Sequence, residues 1–562
     1  MRGLNWIDYA VCLVYLAGIT GFGSYFYFKG QRTAKEYFLA GRSMGWLPVG
    51  LALMATLTSG IGYLGQPAGS VKYGLITLWQ LLAIPLSYPV VVYVFMPFYH
   101  RLGVYTPYEY LEKRFSVAVR ALTSGLFIIW RITWMAAVIY APALVLSIVS
   151  DGKIPLKASV IVMGILSTAY TALGGTKAVM WTDVVQFFVM FGGMFAAALT
   201  IVWMVPGGLP EIGSTLSAAG KLNFTATIPA WDSAGLLEKF NLYLFTDVTA
   251  MALIISATVG KLGNYCVDQA MVQRYLTSRN LQTARQGFLC NCFAYCLYVV
   301  IMALVGAALF AFAKHFDFPK TLRNDQVFPY FIAHIMPVGI AGLLVAAVYA
   351  ASMSSLTGGI NSVITAFTND FYNRFRFRRA NLDDTSITAA EQRHYVKLGR
   401  ITTLLLGLVE TFLALYVGKM GDIFEISNKL INGFIGPLFG IFALGMFTRR
   451  AHTTPVLIGG LVGSLLTGLT IFGEQLGLPS FDVGFMWPST VGLVVTFAVG
   501  YAFSWALPKS PNGSEQMTWW GVMRPPASQA CPSAASRPTE RSHIQSRESP
   551  PQMGRSVPLR QA

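Results

Sequence analysis

The sequence predicts an all-α polytopic membrane protein of about 13 transmembrane helices, with a five-plus-five inverted repeat and discontinuous helices. Three observations carry that expectation: 54% of the 562 residues are hydrophobic and only 12% charged, apolar stretches of spanning length recur, and glycines cluster inside two of them. The mean hydropathy is +0.54, far from that of a soluble domain. A large soluble catalytic domain is excluded.

A span needs about 20 mostly apolar residues. In chain order the candidates are 6–28, 47–69, 76–99, 121–149, 158–171, 179–205, 243–263, 287–313, 338–370, 401–417, 424–447, 455–472 and 486–507. The first lacks a small-residue cleavage site and is followed by another span, so it reads as a retained helix and not a signal peptide. The expected organisation is an extra helix and cytoplasmic loop (1–45), a first repeat (46–205), a second repeat (206–448), two further spans (449–507) and a disordered cytoplasmic tail (508–562). That tail holds 9 Pro and 9 Ser in 55 residues, a composition unable to bury a core. Trp519 and Trp520 within it either dock at a membrane surface or ride passively.

The net charge of +16 invites a nucleic-acid reading, but in a membrane chain the distribution of Lys and Arg matters more than their sum. With the N-terminus outside, 28 of the 41 Lys and Arg fall in cytoplasmic segments, 10 outside, and three (Arg131, Lys261, Lys429) in spans. The expected placement is therefore a cell membrane, N-terminus outside and C-terminus cytoplasmic, in contact with the lipid bilayer. The run Arg374, Arg376, Arg378 and Arg379 resembles an RNA patch, yet topology accounts for it, and no nucleic-acid partner is expected. The six cysteines mostly lie in apolar stretches and outline no disulfide framework.

Non-helical backbone at membrane depth survives only where it lines a cavity or is buried in protein, so interruptions are informative. Residues 60–69 pack four glycines and Pro67 into ten positions, and an unbroken helix there is not expected. A weaker lesion lies at 259–265, five spans further along. Matching breaks in two halves point to an inverted repeat with its site at the bilayer midplane. In the ninth span Ala351, Ser354 and Ser355 stand at i, i+3 and i+4, putting a carbonyl and two hydroxyls on one face. With carbonyls freed near Ala55 and Thr58 they offer five neutral oxygens, a set suited to a monovalent cation. The alternative is that the serines bond back to their own helix or to a neighbour.

An embedded charge costs several kcal/mol unless it is paired or faces a cavity. Arg131 either grips a substrate carboxylate by a forked hydrogen bond or pairs with an internal acid such as Asp183. Asp183 either assists cation access or pairs with Lys177. Lys261 and Lys429 read as snorkelling side chains.

The stretches Gly174 to Gln186 with Trp181 and Asp183, Asp268 to Tyr275 with Gln273 and Arg274, Ser354-Ser355 followed by Asn361-Ser362 and Asp370, and Gly436 to Gly445 together resemble the solute:sodium symporter family of broken-helix inverted-repeat transporters. The resemblance covers residues from about 6 to 507. Tyr140 to Leu144 and Thr106 to Phe115 are similar to the branch carrying monocarboxylates, vitamins, iodide and sialic acid. The resemblance implies a sodium ion on the carbonyls of Ala55, Thr58 and Ala351 and the hydroxyls of Ser354 and Ser355, the atoms that spacing had already grouped. Some members hold a second sodium one turn further on with the aspartate matching Asp183; here that turn is Thr357 then Gly358, so a ligand is missing. Substrate contacts are implied at Ser59, Gly60, Gly62, Arg131, Tyr265 and Asn432. Members that bind sugars use a glutamine where this chain has Gly62, which disfavours a sugar.

The expected function is a sodium-coupled secondary symporter importing a small organic solute, a carboxylate among the candidates, by alternating access, and not an enzyme. The rival enzyme, a membrane prenyltransferase, needs two acidic clusters for magnesium and diphosphate, and the chain offers only Asp383-Asp384 in a basic loop. A channel lacks a charged ring, and a sensor would need a partner domain.

Overall fold

Helix α1 spans Trp6–Phe28, α2 Trp46–Leu57, α3 Gly60–Tyr73, α4 Val117–Val149, α5 Leu156–Met204, α6 Ala250–Val267 and α7 Gln269–Leu276. They are followed by α8 Leu281–His315, α9 Ile340–Ala366, α10 Ala389–Val417, α11 Ile435–Phe447, α12 Thr453–Phe472 and α13 Pro488–Ala506. Between α3 and α4 the chain runs through short 3-10, α and π segments to Leu102, then forms the helix Tyr108–Arg114. The structure is a computed structural model that describes residues 4–28, 33–225, 235–246, 248–377, 388–419, 430, 433–473, 477, 484–508 and 515–524. The body is Met1–Val522; of the remaining unit, Met523–Ala562, only 523 and 524 fall among the described residues.

Ten helical runs among the described residues are long and apolar enough to cross a membrane, with three shorter apolar helices, Trp46–Leu57, Leu156–Ala169 and Ile435–Phe447, between them. The expected count of 13 is not reproduced by length alone, because breaks divide spans. The stretch 47–69 is two helices, α2 and α3, separated by Thr58 (φ −91°, ψ 90°) and Ser59 (φ −79°, ψ 164°), both extended. Spans 158–171 and 179–205 instead run on as α5, interrupted only where Gly175 takes φ 60° and ψ −177°, a left-handed backbone that glycine adopts at no steric cost. The second break falls at Asp268, between α6 and α7, a few residues beyond the glycines at 259–265.

Small residues decide the packing, as expected where lipid supplies no hydrophobic force between helices. Helix α9, rich in Ala, Gly and Ser, is the most enclosed: nearly every residue from Ala341 to Ala366 is buried. It packs on α5, α4 and α1. Asp8 of α1 accepts hydrogen bonds from the amides of Gly339 (2.7 Å) and Gly342 (2.9 Å), satisfying donors that the first turn of α9 leaves free. One acid thus pins the extra N-terminal helix to the central one. Within 508–562 the described residues are 508 and 515–524. Trp519–Met523 is helical, the Trp519 indole donates to the Val94 carbonyl at 3.3 Å, and Trp520 meets Phe447 edge-on. These tryptophans dock on the protein.

Candidate functional site

The last carbonyls of a helix have no intrahelical donor. Ending α2 at Leu57 therefore exposes acceptors at membrane depth, and α9 supplies donors to two of them. The Ser354 hydroxyl donates to the Ala55 carbonyl at 2.8 Å and to Ala351 in its own helix at 3.0 Å, and Ser355 donates to the Thr56 carbonyl at 2.8 Å. All five residues are buried. Thr58 sits in the break itself, its hydroxyl turned back to the Met54 sulfur at 3.1 Å. The break and the serine face, 299 positions apart, meet as the spacing anticipated. Thr56, which anchors Ser355, was not anticipated.

Ser59 caps α3, its hydroxyl accepting from the Gly62 amide at 3.2 Å. Gly60 is a packing glycine: a Cβ there would overlap the Ser352 hydroxyl and lie 3.2 Å from the Val348 carbonyl. Gly62 has room, with only the Ser59 hydroxyl at 3.7 Å.

Asp183 of α5 is fully buried, and its partner is Arg274 of α7, 2.9 Å away, with the Thr56 hydroxyl donating at 3.3 Å. The second carboxylate oxygen has no hydrogen-bond partner. The pairing with Lys177 is not what forms. Gly358 faces the guanidinium so closely that a Cβ would lie 3.1 Å from Arg274 Cζ and 3.0 Å from Thr56 Cγ2. Thr357 bonds back to the Ser354 carbonyl at 3.1 Å.

Beside the break, whose Thr56, Leu57 and Thr58 line it, lies a cavity of about 140 Å³ also lined by Gly62 and Gln66 of α3, by Trp130, Arg131 and Trp134 of α4, and by Asp268. Arg131 is buried and bound to Asp268 at 3.0 Å; of the two readings of Arg131, pairing with an internal acid is the one that the structure contains, though the acid is Asp268 and not Asp183. Asp268 also caps α7, accepting from the Ala270 amide at 2.8 Å. Lys261 lines the same cavity with its ammonium 3.8 Å from the Tyr295 ring centre, so it does not snorkel to an interface. Tyr265 is turned away: its hydroxyl accepts from Asn291 of α8 at 2.9 Å and its ring packs on Phe288. Asn432 and Lys429 lie outside the described residues.

Residues 37–463 match the Sodium:solute symporter family. The chain belongs to that family. It is 31% identical over 501 residues to a sodium/sialic acid symporter of Aliivibrio fischeri, covering 88% of this chain and 92% of the relative. It is 31% identical to the human sodium/iodide cotransporter, covering 88% of this chain and 74% of that one. A solved structure of a Na+-coupled sialic acid symporter, in a substrate-bound outward-open state, aligns with TM-score 0.76 and 26% identity over 90% of this chain and 99% of its own.

In this symporter-family chain a second buried charge cluster, apart from the cavity lining, ties the start of α4 to the chain just beyond α9. Arg120 of α4 binds Glu112 at 2.7 Å and Asp370, just beyond α9, at 2.6 Å, while Arg374 binds Glu112 at 2.8 Å. Ser124 and Thr106 donate to Asp370 at 2.9 and 2.8 Å. Glu109, on the short helix before α4, accepts from the amides of Tyr105 and Thr106 and from Asn369. Burial pushes its carboxyl up to about 7, against the lowering pull of Arg120.

Proposed function

We propose that the chain is a sodium-coupled symporter that carries a small organic solute into the cell by alternating access, with its N-terminus outside and its C-terminus cytoplasmic. The observation that carries this reading is the meeting of Ser354 and Ser355 with the carbonyls freed at the α2 break. A sodium ion there would take the hydroxyl oxygens together with the carbonyls of Ala55, Thr58 and Ala351, replacing the serine hydrogens that now bridge to carbonyls. Binding ties the broken α2–α3 element to α9 and favours the arrangement whose cavity accepts solute. In this orientation the cavity faces outside and the Arg120–Asp370 cluster closes the cytoplasmic end. Gly62 shapes the cavity's edge while Ser59 caps the helix that carries it, Gly60 sets the approach of α3 to α9, and Arg131 braces the lining through Asp268.

The Arg274 guanidinium already supplies a positive charge to Asp183, so one sodium per cycle is the stoichiometry proposed. One inward sodium at about 100 mV gains ~2.3 kcal/mol, and a tenfold gradient adds ~1.4. That sum supports roughly 500-fold accumulation of a neutral solute, or about tenfold for a monoanion whose charge cancels the electrical term. The test is uptake into proteoliposomes: an inward sodium gradient drives concentrative uptake and an equal potassium gradient does not. Equal uptake under both gradients overturns the reading.

A further inference from the structure

Resting on the symport reading, we infer that the solute is a small monocarboxylate and that Lys261, with Gln66 and Tyr298, is the group that recognises its charge. A membrane-embedded cation is retained when it is paired or faces a cavity with work to do. Arg131, though it too lines the cavity, belongs to the first kind, its Nη1 committed to Asp268. Lys261 belongs to the second. It lines the cavity, no ion pair joins it to an acid among the described residues, and its ammonium sits over the face of Tyr295 at 3.8 Å. An aromatic face orients an ammonium without neutralising it.

The hydrogen-bonding capacity of the cavity leans the same way. Gln66 accepts from Gln80 at 3.1 Å through its carbonyl, while its amide nitrogen is buried with no partner. The Tyr298 hydroxyl, on a side chain 4% exposed, also lines the cavity and has no partner. Unmet buried polar groups are costly, and each of these can donate. Three donors thus line one cavity whose carboxylate among the described residues, Asp268, is already taken by Arg131 and the Ala270 amide. Among the residues lining the cavity, Arg131 and Asp268 carry opposite charges and Lys261 adds one further positive charge. A monoanion completes the set, its carboxylate oxygens taking the three donors and its body lying toward Trp130 and Trp134. A neutral solute would leave the ammonium without a counter-charge.

The experiment is a thermal-shift screen of the purified full chain in sodium buffer, with small monocarboxylates such as propionate and nicotinate beside propionamide and nicotinamide, repeated for Lys261→Met and Lys261→Arg. The wild type should be stabilised by an acid at concentrations at least tenfold below its amide. Lys261→Met should lose that preference, and Lys261→Arg should recover most of it. A rise in melting temperature on adding sodium alone should persist in Lys261→Met and reports an intact fold. An acid-over-amide preference that survives Lys261→Met, or a solute preference for the amides, overturns the assignment while leaving the sodium reading in place. Carboxylate binding that needs Lys261 but is indifferent to sodium sustains the assignment and overturns the coupling.

Discussion

Arg274 and Asp183 lie 2.9 Å apart on helices α7 and α5, both buried, with Gly358 of α9 giving the guanidinium its room. The pair sets a tethered cation beside the proposed sodium site. Sodium dependence of uptake should therefore follow a Hill slope near one, and a slope near two would contradict this stoichiometry. Arg274→Met should cost about 3–5 kcal/mol by stranding a buried carboxylate, and adding Asp183→Asn should restore much of the melting temperature.

Gly60 and Gly62 make an internal control. A Cβ at Gly60 collides with Ser352, whereas at Gly62 it meets only the Ser59 hydroxyl at ordinary contact distance. Gly60→Ala should lower both melting temperature and sodium affinity, because it wedges α3 from α9. Gly62→Ala should leave the fold intact and raise the KM for solute. The reverse order in melting temperature would contradict the packing described.

Glu109 predicts a pH signature. Its carboxyl titrates at about 7 when folded against an ordinary value of 4.5, so the folded chain holds the proton more tightly than the unfolded one. The stability this adds is complete below pH 4.5 and is lost as pH rises through 7, amounting to about 3 kcal/mol at most. Glu109→Gln keeps an acceptor for the Tyr105 and Thr106 amides. It should flatten the fall in melting temperature between pH 5 and 8, and an unchanged slope would show that another group titrates.

Much of this arrangement was legible from residues. The break falls at Thr58 and Ser59, beside the expected carbonyls of Ala55 and Thr58, but the glycines and Pro67 of 60–69, where no unbroken helix was expected, run continuously helical in α3. The i, i+3, i+4 spacing of Ala351, Ser354 and Ser355 forecast the face that meets the break. The second break was placed too early, at its glycines. The better signal was Asp268, a capping residue directly before a new helix. Which charges pair was not legible, because that depends on the rotation of each helix about its axis. Arg131 finds Asp268 137 positions away, and Lys261 turns inward to Tyr295 instead of outward to an interface. Tyr265 was nominated by the family resemblance, yet the same rotation carries it onto α8.

The central claim is that α9 and the α2 break together hold one sodium ion. The most direct measurement is the sodium-specific rise in melting temperature, titrated against potassium, for the wild type, Ser354→Ala and Ser355→Ala. Sodium at 100 times its Kd should stabilise the wild type by about 2.7 kcal/mol where potassium does not, and each alanine variant should need at least tenfold more sodium for the same shift. Variants that melt cooperatively and respond to sodium as the wild type does would contradict the account.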